Sequence, residues 1–96
     1  MTTKLDKLTP AQIEAGLTKL DEWSLLNDAI QRTYLFKDFA ASIAFVNKVA
    51  AFAEEADHHP DILIRYNKVT LTLSTHDAGG VTEKDFALAA KADGAA

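Results

Sequence analysis

Apolar residues recur along this chain with two different periods, and each period predicts a different kind of element. Between residues 38 and 56 they recur every three to four positions, which is the spacing of one helix face. Between residues 62 and 74 they alternate with polar residues, as in a β-strand with one buried side. Short β-favouring runs at 23–26 and 29–36 also predict strands. The chain therefore mixes helices with strands.

Capping residues mark the first two helices. Thr9 followed by Pro10 is typical of a helix start, and this helix is expected to run to about Leu20. Asp38 can cap a long helix that ends near Ala56. The apolar residues of the long helix cover about half of its circumference; one stripe holds Phe39, Ile43, Val46, Ala50 and Ala53, and beside it lie Phe45, Val49, Phe52 and Ala56. An alanine-rich helix that simply propagates well remains an alternative, but we favour a partner helix from another subunit, because one sheet cannot cover this surface.

The last helix is marked by Thr82, with Asp85 three positions later as a variant of the capping box. The segment 77–80, Asp-Ala-Gly-Gly, is expected to be a flexible loop before it. The tail from Ala92 to Ala96 is expected to fray.

Two hairpins are predicted. Asn27-Asp28 separates the first pair of strands. In the second hairpin, Asn67-Lys68 is taken as a two-residue turn, which pairs Ile62 with Leu73, Ile64 with Leu71 and Tyr66 with Val69. Extending this register places His59 opposite His76, with backbones about 5 Å apart.

These elements predict one domain over residues 1–96. We expect an α+β fold, with a four-stranded antiparallel sheet and three helices packed on one face in the order α-β-β-α-β-β-α. An open sheet leaves edge strands, and one of them can pair with another subunit.

Composition excludes several classes of function. Ten basic against fourteen acidic residues give a net charge of −4, which disfavours nucleic acid and membrane as direct partners. The absence of cysteine excludes disulfides, thiolate nucleophiles and cysteine-bound metals. No window approaches the ~20 apolar residues of a membrane span, and no signal peptide is recognisable. A cytoplasmic protein is expected.

All three histidines of the chain, His58, His59 and His76, fall near the ends of the second hairpin. Imidazole gives and takes protons near neutral pH, so this clustering favours a site of proton transfer. A metal site and a group of surface histidines without function remain alternatives. Metal is disfavoured because adjacent side chains on an extended backbone point to opposite sides.

Three further residues are weaker candidates for this site. Glu54 lies one turn before His58 and could orient an imidazole, although a solvated last turn is the simpler interpretation. Asp85 is better interpreted as a helix cap than as a catalytic carboxylate. Trp23 is typical of a core residue, although a partly exposed indole could stack on a flat ring.

The spacing of these residues resembles the signature of the pterin-4a-carbinolamine dehydratases. It consists of Glu54, the triplet His58-His59-Pro60, Tyr66, His76 and Asp85. The likeness extends over most of the chain from Trp23 to Asp93, and Glu22 departs from it where the family commonly has glycine.

The resemblance implies dehydration of 4a-hydroxytetrahydropterin to quinonoid dihydropterin by histidine acid–base catalysis, without a cofactor or metal. It implies that His58, His59 and His76 are the catalytic imidazoles. It also implies that the pterin is held by these three histidines together with Asp57, Ser74, Thr75 and Asp77. It further implies a homodimer or homotetramer and a functional link to phenylalanine hydroxylase. A regulatory or dimerisation module of the same fold is the alternative.

The three histidines are expected to divide the work. We expect His58 and His76 to be the general acid–base groups, the first from the resemblance and the second from both the resemblance and the hairpin register. His59 is expected mainly to position the pterin. These assignments require that the backbone before Pro60 departs from a regular strand.

Overall fold

The computed structural model describes residues 6–96. In order, the elements are α1 (Pro10–Leu17), β1 (Ser24–Leu26), β2 (Ala29–Leu35), α2 (Phe39–Ala56), β3 (Asp61–Arg65), β4 (Lys68–Leu73) and α3 (Glu83–Ala95), with one turn of 3-10 helix (His76–Ala78) before α3. The order α-β-β-α-β-β-α expected from the sequence is confirmed. Within the described part of the chain, no helix is long and apolar enough to cross a membrane.

The four strands form one antiparallel sheet in the order β1-β2-β4-β3. Apolar and polar residues alternate along the two central strands, β2 and β4, so the sheet has two different faces. The inner face packs against the helices in a single core, and its buried residues include Ile30, Tyr34, Val69, Leu71 and Leu73. The opposite side, called the outer face here, carries Gln31, Thr33, Thr70 and Thr72. No helix within residues 6–96 covers the outer face.

The predicted register of the second hairpin is wrong by two residues. Ile62 lies opposite Leu71 and Ile64 opposite Val69, so Tyr66-Asn67 is the turn and Tyr66 takes the left-handed backbone with φ 52°. A shift of two residues keeps every side chain on its face, so apolar alternation cannot detect it. What decides the register is a contact with β2.

That contact joins Asn67 to Phe36, at the end of β2. The Phe36 N–H donates to the Asn67 carbonyl at 2.8 Å, and Asn67 Nδ2 donates to the Phe36 carbonyl at 3.1 Å. These two bonds hold Asn67 inside the turn, in its second position. The turn is therefore specified by a residue 31 positions away, and not by the local preference of Asn67-Lys68.

The long helix α2 buries one stripe of residues, and this stripe differs from the two apolar stripes expected from the sequence. Its buried residues are Ser42, Phe45, Val49 and Ala53. From the first expected stripe, Phe39 is half exposed and Ala50 is exposed; from the second, Ala56 is exposed. The sheet reaches only the side of the helix that faces it, so the remaining apolar surface stays uncovered in the single chain.

Two helix ends also differ from the expectation. Helix α1 ends at Leu17, three residues early. The tail does not fray, because α3 continues to Ala95 and Asp93 is bonded to the sheet. Asp93 accepts hydrogen bonds from the Trp23 indole at 3.0 Å, from Arg32 at 2.8 Å and from the Tyr34 hydroxyl. Burial raises the pKa of Tyr34 well above its ordinary value, and the neighbouring Asp93 carboxylate raises it further.

Candidate functional site

A sharp change of chain direction separates the first two histidines. Helix α2 ends at Asp57, whose φ of 50° is left-handed, and the His58 N–H donates back to the Ala53 carbonyl at 3.0 Å. The segment His58-His59-Pro60 then leads directly into β3. The two imidazoles diverge, since His58 is buried with 9% exposure and His59 is exposed.

His59 and His76 line one cavity of about 290 Å³. This outer cavity lies where the outer face of the sheet meets the segments that follow β4 and precede β3. Its lining residues are Ala29, His59, Asp61, Thr72, Ser74 and His76. The volume is at the lower end of the range for small-molecule sites, and the lining is rich in groups that form hydrogen bonds.

Glu54 contacts the ring of His59. Its Oε2 lies 2.5 Å from His59 Nε2, although both side chains are largely exposed to solvent. A carboxylate in this position orients an imidazole and selects which nitrogen carries the proton. The sequence expectation that Glu54 orients a histidine therefore matches this geometry, but the partner is His59 and not His58.

His76 is presented by a tight turn. The Thr75 N–H donates to the Gly80 carbonyl at 2.8 Å, and the Gly79 N–H donates to the His76 carbonyl at 3.0 Å. Gly79 closes the turn with φ 75°, a backbone that glycine adopts without a steric penalty. The segment expected to be a flexible loop is thus an ordered 3-10 turn.

The route by which His59 and His76 meet differs from the predicted one. Extending the observed register places His59 level with Ser74 and not with His76. The chain turns immediately after Ser74, and this turn brings His76 to the same cavity. Ser74 Oγ donates to the Asp28 carbonyl at 2.9 Å, which joins the cavity wall to the β1–β2 turn.

His58 is not among the residues that line the cavity, and it belongs to a group of buried polar side chains that we call the buried network. Its Nε2 lies 2.6 Å from Asp85 Oδ1, and Asp85 is fully buried. Asp85 Oδ2 accepts from Thr75 Oγ1 at 2.8 Å and from the Thr82 N–H at 2.9 Å. The hydroxyls of Thr75 and Thr82 are also 2.7 Å apart. Both carboxylate oxygens of Asp85 thus have partners, as a buried charge requires.

The structure divides the residues named from the sequence into four groups. His59, Ser74 and His76 line the outer cavity, and Glu54 contacts it through His59. His58, Thr75 and Asp85 form the buried network, and Asp57 and Asp77 are exposed residues outside the cavity lining. Trp23 belongs to the core, with 3% exposure. Residues 6–96 contain no group of three or more histidine or acidic side chains arranged to hold a metal ion.

Three residues of the cavity were missed by the sequence analysis, namely Ala29, Asp61 and Thr72. Strand alternation could have identified two of them. Asp61 is two positions after His59, and Thr72 is two positions before Ser74, so each shares a face with its neighbour. Ala29 had no local signal, because it reaches the cavity through the pairing of β2 with β4.

Comparison with known proteins gives consistent matches over most of the chain. The chain is 60% identical to a protein of Acidobacterium capsulatum, over 88% of this chain and 91% of that protein. It is 55% identical to a protein of Picosynechococcus, over 91% of this chain and 95% of the other. The names of both assign them to the pterin-4-alpha-carbinolamine dehydratases.

Solved structures agree with this match. A transcriptional coactivator/pterin dehydratase from Brucella melitensis superimposes with a TM-score of 0.92 at 39% identity, covering 95% of this chain and 99% of that one. A pterin dehydratase-like protein, identified as a RuBisCO assembly factor in the α-carboxysome, gives 0.63 at 27% identity, covering 76% and 84%. The family described as pterin 4 alpha carbinolamine dehydratase matches residues 6–95, and this chain belongs to that family.

Proposed function

We propose that the protein dehydrates a 4a-hydroxytetrahydropterin to the quinonoid dihydropterin. The observation that carries this proposal is the presence of two imidazoles, His59 and His76, in one cavity lined by polar groups. Membership of the family supports the substrate class. The enzyme has to supply only one proton donor and one proton acceptor for this reaction, and imidazole serves as either near neutral pH.

The reaction breaks the C4a–O and N5–H bonds of the substrate and forms the C4a=N5 double bond. The C4a–O bond breaks as a proton is added to the leaving hydroxyl, which departs as water. N5 loses its proton, and the electron pair of its N–H bond forms the C4a=N5 double bond. The C4a–O electron pair leaves with the water oxygen and the N5–H pair replaces it at C4a, so the reaction needs no oxidant. One histidine gives a proton and the other takes one, which leaves the total number of protons on the pair unchanged.

We assign proton transfer to His76 and His59, because both line the outer cavity. Glu54 holds the His59 ring at its Nε2 atom. This assignment differs from the sequence expectation, in which His58 and His76 share the acid–base work. His58 is buried, contacts Asp85 through Nε2 and is not among the residues that line the cavity, so we give it a supporting role.

The remaining residues expected to hold the pterin are assigned to two roles. Ser74 lies in the cavity wall and can contact the substrate directly. Thr75 is buried, and it contributes to the site by anchoring the turn that carries His76. Asp57 directly precedes His58 and Asp77 directly follows His76 in the chain, and both residues are exposed.

We also propose that the protein acts as a homodimer or homotetramer. Several large apolar side chains remain exposed on the single chain, both on the sheet and at the start of α2; they are Leu25, Leu26, Leu35, Phe39, Ile62, Leu63 and Tyr66. Apolar surface of this kind is typical of an interface between subunits. A functional link to phenylalanine hydroxylase is part of the same proposal, since such an enzyme would release the substrate.

A regulatory or assembly role is the second candidate, and the same exposed apolar side chains favour it. One structural relative of this chain is described as a RuBisCO assembly factor. The two candidate functions differ in whether they need the histidines of the cavity. An assembly protein without enzymatic activity does not need paired imidazoles, whereas a dehydratase needs them for proton transfer.

The deciding experiment is a direct assay of the 4a-carbinolamine. The compound is generated in solution, and the decay of its absorbance is followed with and without the protein. We expect the purified protein to accelerate the decay in proportion to its concentration. A decay rate equal to the uncatalysed rate would reject the dehydratase proposal and favour the assembly role.

A further inference from the structure

Asp61 is the one carboxylate residue among those that line the outer cavity. Three other acidic side chains already have partners: Asp85 contacts His58 in the buried network, Asp93 contacts Arg32, and Glu54 contacts His59. Within residues 6–96, no group forms a hydrogen bond or an ion pair with the Asp61 side chain, which is exposed at the start of β3. Its two oxygens are therefore available to a ligand in the cavity.

The sheet register fixes where Asp61 lies relative to the histidines. Asp61 pairs with Thr72, and the same register places His59 level with Ser74. These two cross-strand rows are two residues apart, which is about 7 Å along a strand. A flat molecule lying over the outer face thus meets the imidazole of His59 in one row and the carboxylate of Asp61 in the next.

A pterin is a flat bicyclic ring that matches this spacing of groups. Its reacting atoms, C4a and N5, lie at or beside the ring fusion. The far end of its pyrimidine ring carries an N3–H and a 2-amino group, two donors side by side. A carboxylate accepts two parallel N–H bonds from such an edge, in the way that it accepts the paired donors of arginine.

We propose that Asp61 determines specificity by binding the N3–H and 2-amino edge of the pterin, which places C4a and N5 beside His59 and His76. This inference rests on the proposed function for the identity of the substrate. Thr72, the cross-strand neighbour of Asp61 in the cavity lining, has a hydroxyl that already accepts a hydrogen bond from Gln31 Nε2 at 2.9 Å. Asp61 acts in binding and takes no part in the proton transfer.

The test compares two stable ligands that differ at the 2-position. Dissociation constants of 6,7-dimethylpterin and 6,7-dimethyllumazine are measured by titration with wild type and Asp61→Asn. Lumazine replaces the 2-amino donor with a carbonyl oxygen, which a carboxylate repels. We expect wild type to bind the pterin about tenfold more tightly than the lumazine. Asp61→Asn is expected to reduce this ratio to about twofold or less, because its amide offers one donor and one acceptor.

Asp21→Asn is the matched control, since it makes the same charge change at an exposed position before β1. It should keep the wild-type preference for the pterin. In the carbinolamine assay, Asp61→Asn should raise KM about tenfold and leave kcat within about twofold. An unchanged ligand preference in Asp61→Asn, or equal binding of both ligands by wild type, would overturn the inference.

The outcomes separate this inference from the proposed function. If wild type accelerates decay of the carbinolamine but Asp61→Asn keeps its KM and its ligand preference, the dehydratase proposal stands and the role of Asp61 fails. If wild type prefers the pterin through Asp61 yet does not accelerate the decay, the recognition stands and the catalytic proposal fails.

Discussion

His58 and Asp85 contact each other in the interior, with 2.6 Å between Nε2 and Oδ1, although 27 positions separate them in the sequence. Asp85 also accepts a bond from Thr75. His58 precedes His59, and Thr75 precedes His76, so one buried carboxylate connects the two chain segments that carry the histidines of the cavity. The capping residue of α3 thereby links these two segments.

Substitution of Asp85 should therefore destabilise the fold. Asp85→Asn keeps the size of the side chain but removes the charge from a fully buried position with three partners. We expect the free energy of unfolding to fall by about 2–4 kcal/mol, measured by urea denaturation. Glu83→Gln, at an exposed position in the same first turn, should change it by less than about 0.5 kcal/mol. A loss as small as this in Asp85→Asn would show that the network contributes little.

Substitution of the cavity histidines should lower kcat. His76→Ala and His59→Ala each remove a group proposed to transfer a proton, and such a loss typically costs about 10²- to 10⁴-fold in rate. Lys48→Ala, on an exposed part of α2, serves as the control and should retain wild-type kinetics. Steady-state kinetics after a circular dichroism check of folding is the measurement. A near-wild-type kcat in His76→Ala would contradict the mechanism.

His58→Ala distinguishes the two assignments of the acid–base pair, and it belongs to the same series. We expect it mainly to lower stability, since it removes a partner from the buried Asp85. If it folds as well as wild type and loses kcat while His59→Ala keeps it, the assignment made from the sequence is the correct one.

Removal of metal ions should leave the activity unchanged. The proposed chemistry uses imidazoles alone, and His58 and His59 diverge from each other at the end of α2. Dehydratase activity is measured before and after exhaustive treatment with EDTA, with elemental analysis of the treated protein. Activity that disappears with EDTA and returns with zinc would replace the acid–base mechanism with one in which the ion polarises the leaving hydroxyl.

High pH should reduce the contribution of Tyr34 to the stability of the fold. The pKa of Tyr34 is raised above its ordinary value of 10.0 by burial and by the Asp93 carboxylate. Above about pH 10 the unfolded chain loses this proton while the folded chain keeps it, so stability falls as pH rises. The slope is at most about 1.4 kcal/mol per pH unit for one group.

Tyr34→Phe provides the comparison for this prediction. Wild type should be the more stable protein below pH 9, because its hydroxyl donates to Asp93. That advantage should shrink progressively above pH 10 when both are unfolded in urea across a pH series. A difference in unfolding free energy that stays constant up to pH 11 would mean that the Tyr34 proton is not held more tightly in the folded state.

The single chain should not persist alone in solution. Its mass is 10.4 kDa, and exposed apolar residues such as Leu35 and Phe39, at 69% and 50% exposure, favour association. Light scattering at micromolar concentration is expected to give two or four times that mass. A species of about 10 kDa alone would contradict the proposed assembly, since an interface of standard size holds at this concentration.

The sequence by itself determined the elements of this protein. The caps at Thr9, Asp38 and Thr82 are local side-chain to backbone contacts, and the structure shows each of them at its predicted helix start. Alternation and 3.6-residue periodicity are equally local, so the order of helices and strands could be derived from them. The clustering of the histidines and the signature around them indicated the family.

Only the tertiary structure decided how these elements meet. The register of the second hairpin depends on Asn67 and Phe36, which are distant in sequence, and a shift of two residues leaves the alternation unchanged. The ordered tail depends on the bonds that Asp93 receives from the sheet. The separation of His58 from the cavity depends on a buried partner at Asp85. Contacts of this kind form between side chains that folding brings together, and no local pattern of the chain encodes them.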